Sequence, residues 1–199
     1  MFRLSILQPS LLSHYSTHTS KIFPPQHHQD ILQILSSTPL QDLSISRPQS
    51  RLSWGVPVPG DPEQTVYVWF DALLVYLSGI GYPWKHSTRS TSGWPVNLQI
   101  IGKDILRSVL FRTCQANICM QAERRYSFHA IYLPAILLAL GLPLQHRLLA
   151  HGHWTIKQKK MSKSLGNVAD PFKAIDKFGV DVVRYYLARV GGRFRDDVG

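Results

Sequence analysis

Three short apolar runs, each ending on residues that can do chemistry, constrain the fold of this chain most. Residues 65–70 (TVYVWF) run into Asp71, residues 98–101 (LQII) into Gly102-Lys103-Asp104, and residues 148–151 (LLAH) into Gly152-His153. Their length and their β-branched and aromatic content suit buried strands. The stretch ALLVYLSGIGY after Asp71 and the stretch FHAIYLPAILLAL over 128–140, stopped by Gly141, read as apolar helices. Asp71 is expected to cap the first of them. Strands alternating with helices predict an α/β fold, a mostly parallel sheet with covering helices. Ligands of such sheets sit beyond the carboxyl ends of the strands, which is where Asp71, Ala72, Gly102, Asp104, His151 and His153 would lie.

The rest of the chain gives weaker signals. Residues 1–46 are rich in Ser, Pro, Gln and His, with Leu11/Leu12 and Ile31/Ile34/Leu35 spaced for short amphipathic helices. The prolines and glycines of RPQSRLSWGVPVPGDPEQ argue for an irregular loop, and residues 84–97 and 157–164 read as polar and lysine-rich loops. Asp170-Pro171 is a helix cap followed by proline at the first helical position, with Phe172, Ile175 and Phe178 on one face and Gly179 as the stop. A last helix starts at Asp181 and carries Val182, Val183, Tyr186, Leu187 and Val190 on one side.

Composition excludes several classes. With 44% hydrophobic and 17% charged residues in 199, the chain can bury a core and is not of disordered composition. No apolar run is long enough to span a bilayer, and two cysteines make no disulfide scaffold. The N-terminal apolar run, broken by Pro9, lacks the cleavage site of a signal peptide. Charge is uneven: residues 1–100 hold six basic and five acidic side chains, residues 101–199 sixteen and seven. A half-chain that basic suits a phosphate-bearing partner.

The most specific string is Lys160-Met161-Ser162-Lys163-Ser164, followed by Leu165-Gly166-Asn167. Two lysines three apart among small hydroxyl residues can wrap a polyphosphate, since lysine brings a point charge with three donors and serine a short hydrogen bond. Most lysine–serine loops are merely solvated. This one follows a strand and precedes a capped helix. It resembles the second signature of class I aminoacyl-tRNA synthetases.

Further strings resemble the methionyl-tRNA synthetases, bacterial and mitochondrial branch. These are Ile45-Ser46-Arg47-Pro48, residues 54–61 (WGVPVPGD), residues 67–73 (YVWFDAL), Ile80-Gly81-Tyr82, residues 101–107 (IGKDILR) and residues 128–132 (FHAIY). The resemblance covers most of residues 40–198. It implies the second half of a Rossmann-like class I synthetase catalytic domain over 46–155, then the lysine loop and first stem-contact helices over 156–199. Residues 1–45 are expected to be a poorly defined remnant of the connective region.

The resemblance implies ATP-dependent activation of methionine to methionyl-adenylate and transfer to tRNA(Met), with ATP and Mg2+ as cofactors. No membrane or DNA partner and no protein metal site is implied. By the same resemblance Lys160 and Lys163 hold the leaving pyrophosphate, with Ser162 and Ser164 supporting the loop. Gly102 admits the nucleotide, Asp104 accepts its ribose hydroxyls, and His153 lies at the adenine site. Trp69, Ala72, Tyr76, His129 and Tyr132 form the methionine pocket, where aromatic edges suit a polarizable sulfur. The implied location is the mitochondrial matrix, with a bacterial or other cytoplasm as the alternative.

Three departures qualify this resemblance. The family's His-x-Gly-His type motif is absent; neither His27-His28 nor His151-Gly152-His153 has its context. Residues 108–127 separate Arg107 from Phe128, which the family joins directly, and are expected to be translated intron or an altered exon boundary. Such an insert should loop out and displace His129 and Tyr132 from Asp104. It holds Cys114 and Cys119, half a zinc site with no second pair. Finally, the chain stops at Gly199, without the family's helical anticodon-binding domain and zinc-bearing insertion. Smaller departures are Val75 and Leu133, where the family often has Asn and Trp. The expectation is a fragment, weakly active or inactive alone, with a non-catalytic nucleotide- or tRNA-binding remnant as the alternative.

Overall fold

Strand β6 (Leu148–His151) stands between two parallel partners that reach it from far apart in the chain. On one side lies β1 (Ile22–Phe23), with Ile22 opposite Leu148. On the other lies β5 (Gln99–Gly102), in register from Gln99 opposite Leu148 to Gly102 opposite His151. The computed structural model describes residues 1–18, 20–51, 53–84, 93–103, 128–156, 159–162 and 166–191. The expected strands at 98–101 and 148–151 are therefore present, and the sheet is parallel. Alternate residues Ile101, Leu148 and Ala150 point into the core.

Helices cover this sheet. Helix α1 (Gln8–Thr17) and α2 (Pro25–Ser37) form where Leu11 and the Ile31/Leu35 pair marked amphipathic segments. Leu4, Leu11, Tyr15, Ile22, Ile31, Leu35 and Leu40 are all buried, so the first 45 residues carry a share of the core. Gln8 ties α1 to the end of α2: its Nε2 donates to Leu35 O at 2.7 Å and to Thr38 O at 2.9 Å, and its Oε1 accepts from Leu40 N at 2.7 Å.

Two readings from the sequence are corrected. The run over 65–70 is not a buried strand: β4 (Asp61–Val66) ends before it and α3 (Val68–Ser78) begins inside it. Ladder pairing stops at Val66 opposite Ser46. Tyr67 N then donates to Ile45 O, and Phe70 N turns back to Tyr67 O. A short apolar aromatic run fits either state, and here the partner strand decides. Asp71 consequently lies in the first turn of α3 instead of capping it.

The proline-rich stretch before β4 is not an irregular loop either. β2 (Ser46–Pro48) and β3 (Pro57–Val58) flank β4 in a three-stranded antiparallel sheet. Their prolines are tolerated because both are edge strands. Gly60, at φ +80°, turns the chain from β3 into β4, with Val58 opposite Asp61.

After Phe128 the chain makes a π-helical turn, Phe128–Tyr132, before α4 (Leu133–Ala139). Beyond β6 the expected lysine loop over 157–164 supplies β8 (Lys159–Lys160), which pairs with β7 (Thr155–Ile156) just before the loop in a two-stranded ribbon. Helix α5 (Pro171–Phe178) is capped as expected: Asp170 Oδ1 accepts from Phe172 N at 2.9 Å and Lys173 N at 3.4 Å. Gly179, at φ +82°, ends it, and α6 (Val180–Gly191) follows. Among the described residues no helix is long and apolar enough to cross a membrane.

If residues 1–45 belong to the cooperative core, Leu11→Ala and Leu35→Ala should each lower the unfolding free energy by about 2–5 kcal/mol. Urea midpoints measure this. Unchanged midpoints would show that the segment is only loosely attached.

Candidate active site

Helix α3 presents two faces. Leu73 and Leu77 go into the core, while Trp69, Ala72 and Tyr76, spaced three and four apart, share the other side. Opposite them the π-turn supplies His129 and Tyr132, which are 4% and 5% exposed. The two groups meet. Tyr76 Oη and His129 Nε2 are hydrogen-bonded at 2.8 Å, and their rings stand edge-to-face with centroids 5.5 Å apart. Trp69 lies 5.2 Å from Tyr132 and 6.1 Å from Phe128, centroid to centroid.

All five residues expected to form the methionine pocket are thus on one aromatic wall or directly beside it. Ala72 and Tyr76 remain open to solvent, Tyr76 with 36% of its surface. A hydroxyl has one donor and two acceptor positions, so Tyr76 keeps hydrogen-bonding capacity beyond its histidine partner. A thioether against such ring edges gains about 0.3–1.5 kcal/mol per contact. Of the two departures inside this region, Leu133 is fully buried and Val75 is exposed.

The second group gathers at the carboxyl ends of the parallel strands. Gly102 pairs with His151, and a methyl group built on Gly102 would stand 3.5 Å from His153 Cε1 and 4.0 Å from His151 Cε1. Gly102 and His153 are therefore neighbours. The imidazole of His151 is turned onto its own segment, with Nδ1 2.7 Å from Gly152 O.

The lysine string starts on β8, whose Lys160 pairs through its backbone with Thr155. The string is then held at its base by residues the motif does not include. Asn167 Oδ1 accepts from Ser162 N at 2.8 Å, and Ala169 N donates to Met161 Sδ at 3.4 Å. Trp154, next to the ribbon, packs on Tyr186 of α6 with centroids 5.9 Å apart. Asp104, Lys163 and Ser164 lie outside the described residues, as do 108–127 with both cysteines.

The sequence reading missed three residues that hold these groups in place. Tyr15 Oη donates to Ala130 O at 2.7 Å and Gln145 Nε2 to His129 O at 3.2 Å; Asn167 closes the lysine loop. Only Asn167 had a local signal, its place in the Gly-Asn pair after the lysine string.

Comparison with known proteins decides the family. Residues 1–123 and 122–198 match the family described as tRNA synthetases class I (M). The chain belongs to this family. The two matched stretches meet within residues 108–127. The chain is 49% identical over 191 residues to a probable mitochondrial methionine–tRNA ligase of Schizosaccharomyces pombe, covering 96% of the chain and 32% of that protein. It is 44% identical to the mitochondrial methionine–tRNA ligase of Mus musculus, covering 96% and 28%. It is also 44% identical to the methionine–tRNA ligase of Thermosynechococcus vestitus, covering 94% and 32%.

In three dimensions it resembles the Mycobacterium tuberculosis methionyl-tRNA synthetase crystallised with methionyl-adenylate. The TM-score is 0.74 at 40% identity, over 94% of this chain and 32% of that one. The α/β reading thus holds, and the chain spans about a third of the length of the relatives it matches.

In this class I synthetase chain the backbone at Gly102 has ordinary, non-left-handed φ, and a methyl there meets only van der Waals contacts. Gly102→Ala should therefore fold with a melting temperature equal to or slightly above that of the parent. If an adenine nucleotide approaches this backbone, the variant should bind it about tenfold or more weakly. Calorimetric titration with AMP beside a thermal melt checks both. Unchanged affinity would show that no ligand approaches this backbone.

Proposed function

We propose that the chain is the methionine- and ATP-binding part of a methionine–tRNA ligase. The observation that supports this best is the aromatic wall of Trp69, Tyr76, His129 and Tyr132, joined by the Tyr76–His129 hydrogen bond. In this reading the thioether of methionine lies against Trp69 and Tyr132 above Ala72. The nucleotide lies over Gly102 and His153, its ribose hydroxyls are accepted by Asp104, and its phosphates face Lys160, Ser162, Lys163 and Ser164. The relative crystallised with methionyl-adenylate supports placing both ligands in one site.

The chemistry is a displacement at phosphorus. A carboxylate oxygen of methionine bonds to the α-phosphorus of ATP, the bond to the bridging oxygen breaks, and pyrophosphate leaves with that electron pair. In the second step a hydroxyl of the terminal tRNA ribose attacks the acyl carbon, and AMP departs. Such displacement is promoted by alignment and by neutralising the charge that grows on the leaving oxygens. The lysine loop neutralises charge, and the aromatic wall aligns the carboxylate by gripping the other end of the amino acid. Among the described residues no three His, Cys, Asp or Glu side chains stand together. They build no cage for Mg2+, which would enter on the phosphates of ATP.

In this proposal residues 46–155 form the second half of the catalytic domain. Residues 156–199 form the lysine loop and first stem-contact helices, and 1–45, the remnant of the connective region, share the domain's core through Ile22–Phe23 and the buried face of α1. The basic second half suits tRNA(Met), and the fungal and animal relatives favour a mitochondrial matrix location over a bacterial cytoplasm.

Pyrophosphate exchange into ATP tests the reading. Exchange should require methionine and should not be supported by leucine, valine or isoleucine. For the 199-residue chain alone it should be weak, because the chain carries no His-x-Gly-His motif to hold the phosphates from the opposite side. Losing one such group commonly costs ~10²–10³ in rate. Exchange with another amino acid would overturn the assignment. A salt-sensitive tRNA complex without any methionine binding would point to a non-catalytic remnant.

A further inference from the structure

Pro134 is the second residue of α4, and it has no N–H. In the four-residue helical register, residue 134 is the donor to the carbonyl of Ala130. In the five-residue register of the preceding π-turn it is the donor to the carbonyl of His129. In either register this proline withdraws the donor from one of the two carbonyls, and the change from five- to four-residue winding at residues 132–135 passes over the other. Both belong to buried residues: Ala130 is fully enclosed, as is Pro134. Buried carbonyls are satisfied in folded proteins.

The replacements come from outside the helix. Tyr15, on α1 and 115 residues away in sequence, donates its hydroxyl to Ala130 O at 2.7 Å. Gln145, in the segment leading to β6, donates Nε2 to His129 O at 3.2 Å. Tyr15 is itself fixed. It is buried, its ring stands edge-on to His28 at 5.8 Å, and its carbonyl oxygen lies 3.1 Å from His28 Nε2.

We infer that Tyr15 and Gln145 are positioning residues for His129 and Tyr132: by supplying the donors that Pro134 and the change of register withhold, they set the peptide planes of the π-turn and so aim both rings at α3. That the aimed rings grip methionine rests on the proposed function; that they are aimed does not. If the planes tip, the 2.8 Å contact between His129 Nε2 and Tyr76 Oη and the tilted ring contact of Tyr132 with Trp69, 5.2 Å between centroids, are lost together. Burial raises the phenol pKa of Tyr15, so its hydroxyl stays a donor throughout the neutral range.

The test uses Tyr15→Phe, which deletes one oxygen and keeps the ring, and Gln145→Met, which deletes the donor at similar length. The first readout is the ¹⁵N shift of His129 Nε2 in the unliganded chain, with Tyr76→Phe defining the value for the broken contact. Both variants should move the resonance toward the Tyr76→Phe value. Methionine affinity by calorimetry should fall about tenfold, while AMP affinity changes less than about twofold.

A lower melting temperature with the His129 resonance and methionine affinity unchanged would overturn the inference, leaving a purely structural role. If Tyr15→Phe does not fold, Gln145→Met decides by the same readouts. If the parent chain binds no methionine, the proposed function fails, and the His129 resonance still decides the positioning claim.

Discussion

Everything that bears on function hangs from the parallel pairing of Leu148–His151 with two distant strands. A parallel ladder cannot be closed by a tight turn, so each partner must arrive by a long connection. Here one comes from residues 22–23 and the other from residues 99–102. The pairing draws the first forty-odd residues into the core and sets Gly102 beside His151 and His153. It also launches the chain directly into the ribbon that carries Lys160. Register is decisive: a slip of one residue would turn Ile101 and Ala150 out of the core.

Around this frame the two proposed half-sites are built by different means. The nucleotide side uses backbone, a glycine without steric need for its own conformation facing two histidines. The amino-acid side uses rings from two helices. One of those helices starts with a π-turn, and π-turns recur where a helix must aim side chains that regular winding would misplace. The turn brings His129 and Tyr132 to Tyr76 and Trp69 of α3, whereas the displacement expected relative to Asp104 concerns a residue outside the described ones.

Strands β5 and β6 and the cap at Asp170 were readable from the sequence because each carries its own local signal: an apolar run, a following glycine, an Asp-Pro pair. The grouping of Trp69 and Tyr76 with His129 and Tyr132 was expected only through the family resemblance, since Trp69 and Tyr76 taken singly look like core residues. The stretch over 65–70 misled because strand and helix both bury aromatic residues, and the choice was made by the partner strand at Ser46–Pro48. Tyr15 and Gln145 were invisible for a related reason. Their roles are single hydrogen bonds to carbonyls 115 and 16 residues away, and hydrogen bonds of that reach leave no periodicity.

On the proposed function this chain grips methionine and nucleotide together. Calorimetric titration with a non-hydrolysable methionyl-adenylate analogue tests it most directly. Binding is predicted to be saturable and to weaken by about tenfold or more in His129→Ala, while the leucyl analogue binds more weakly to the parent chain. No binding, or equal affinity for the variant and for the leucyl analogue, would contradict the account.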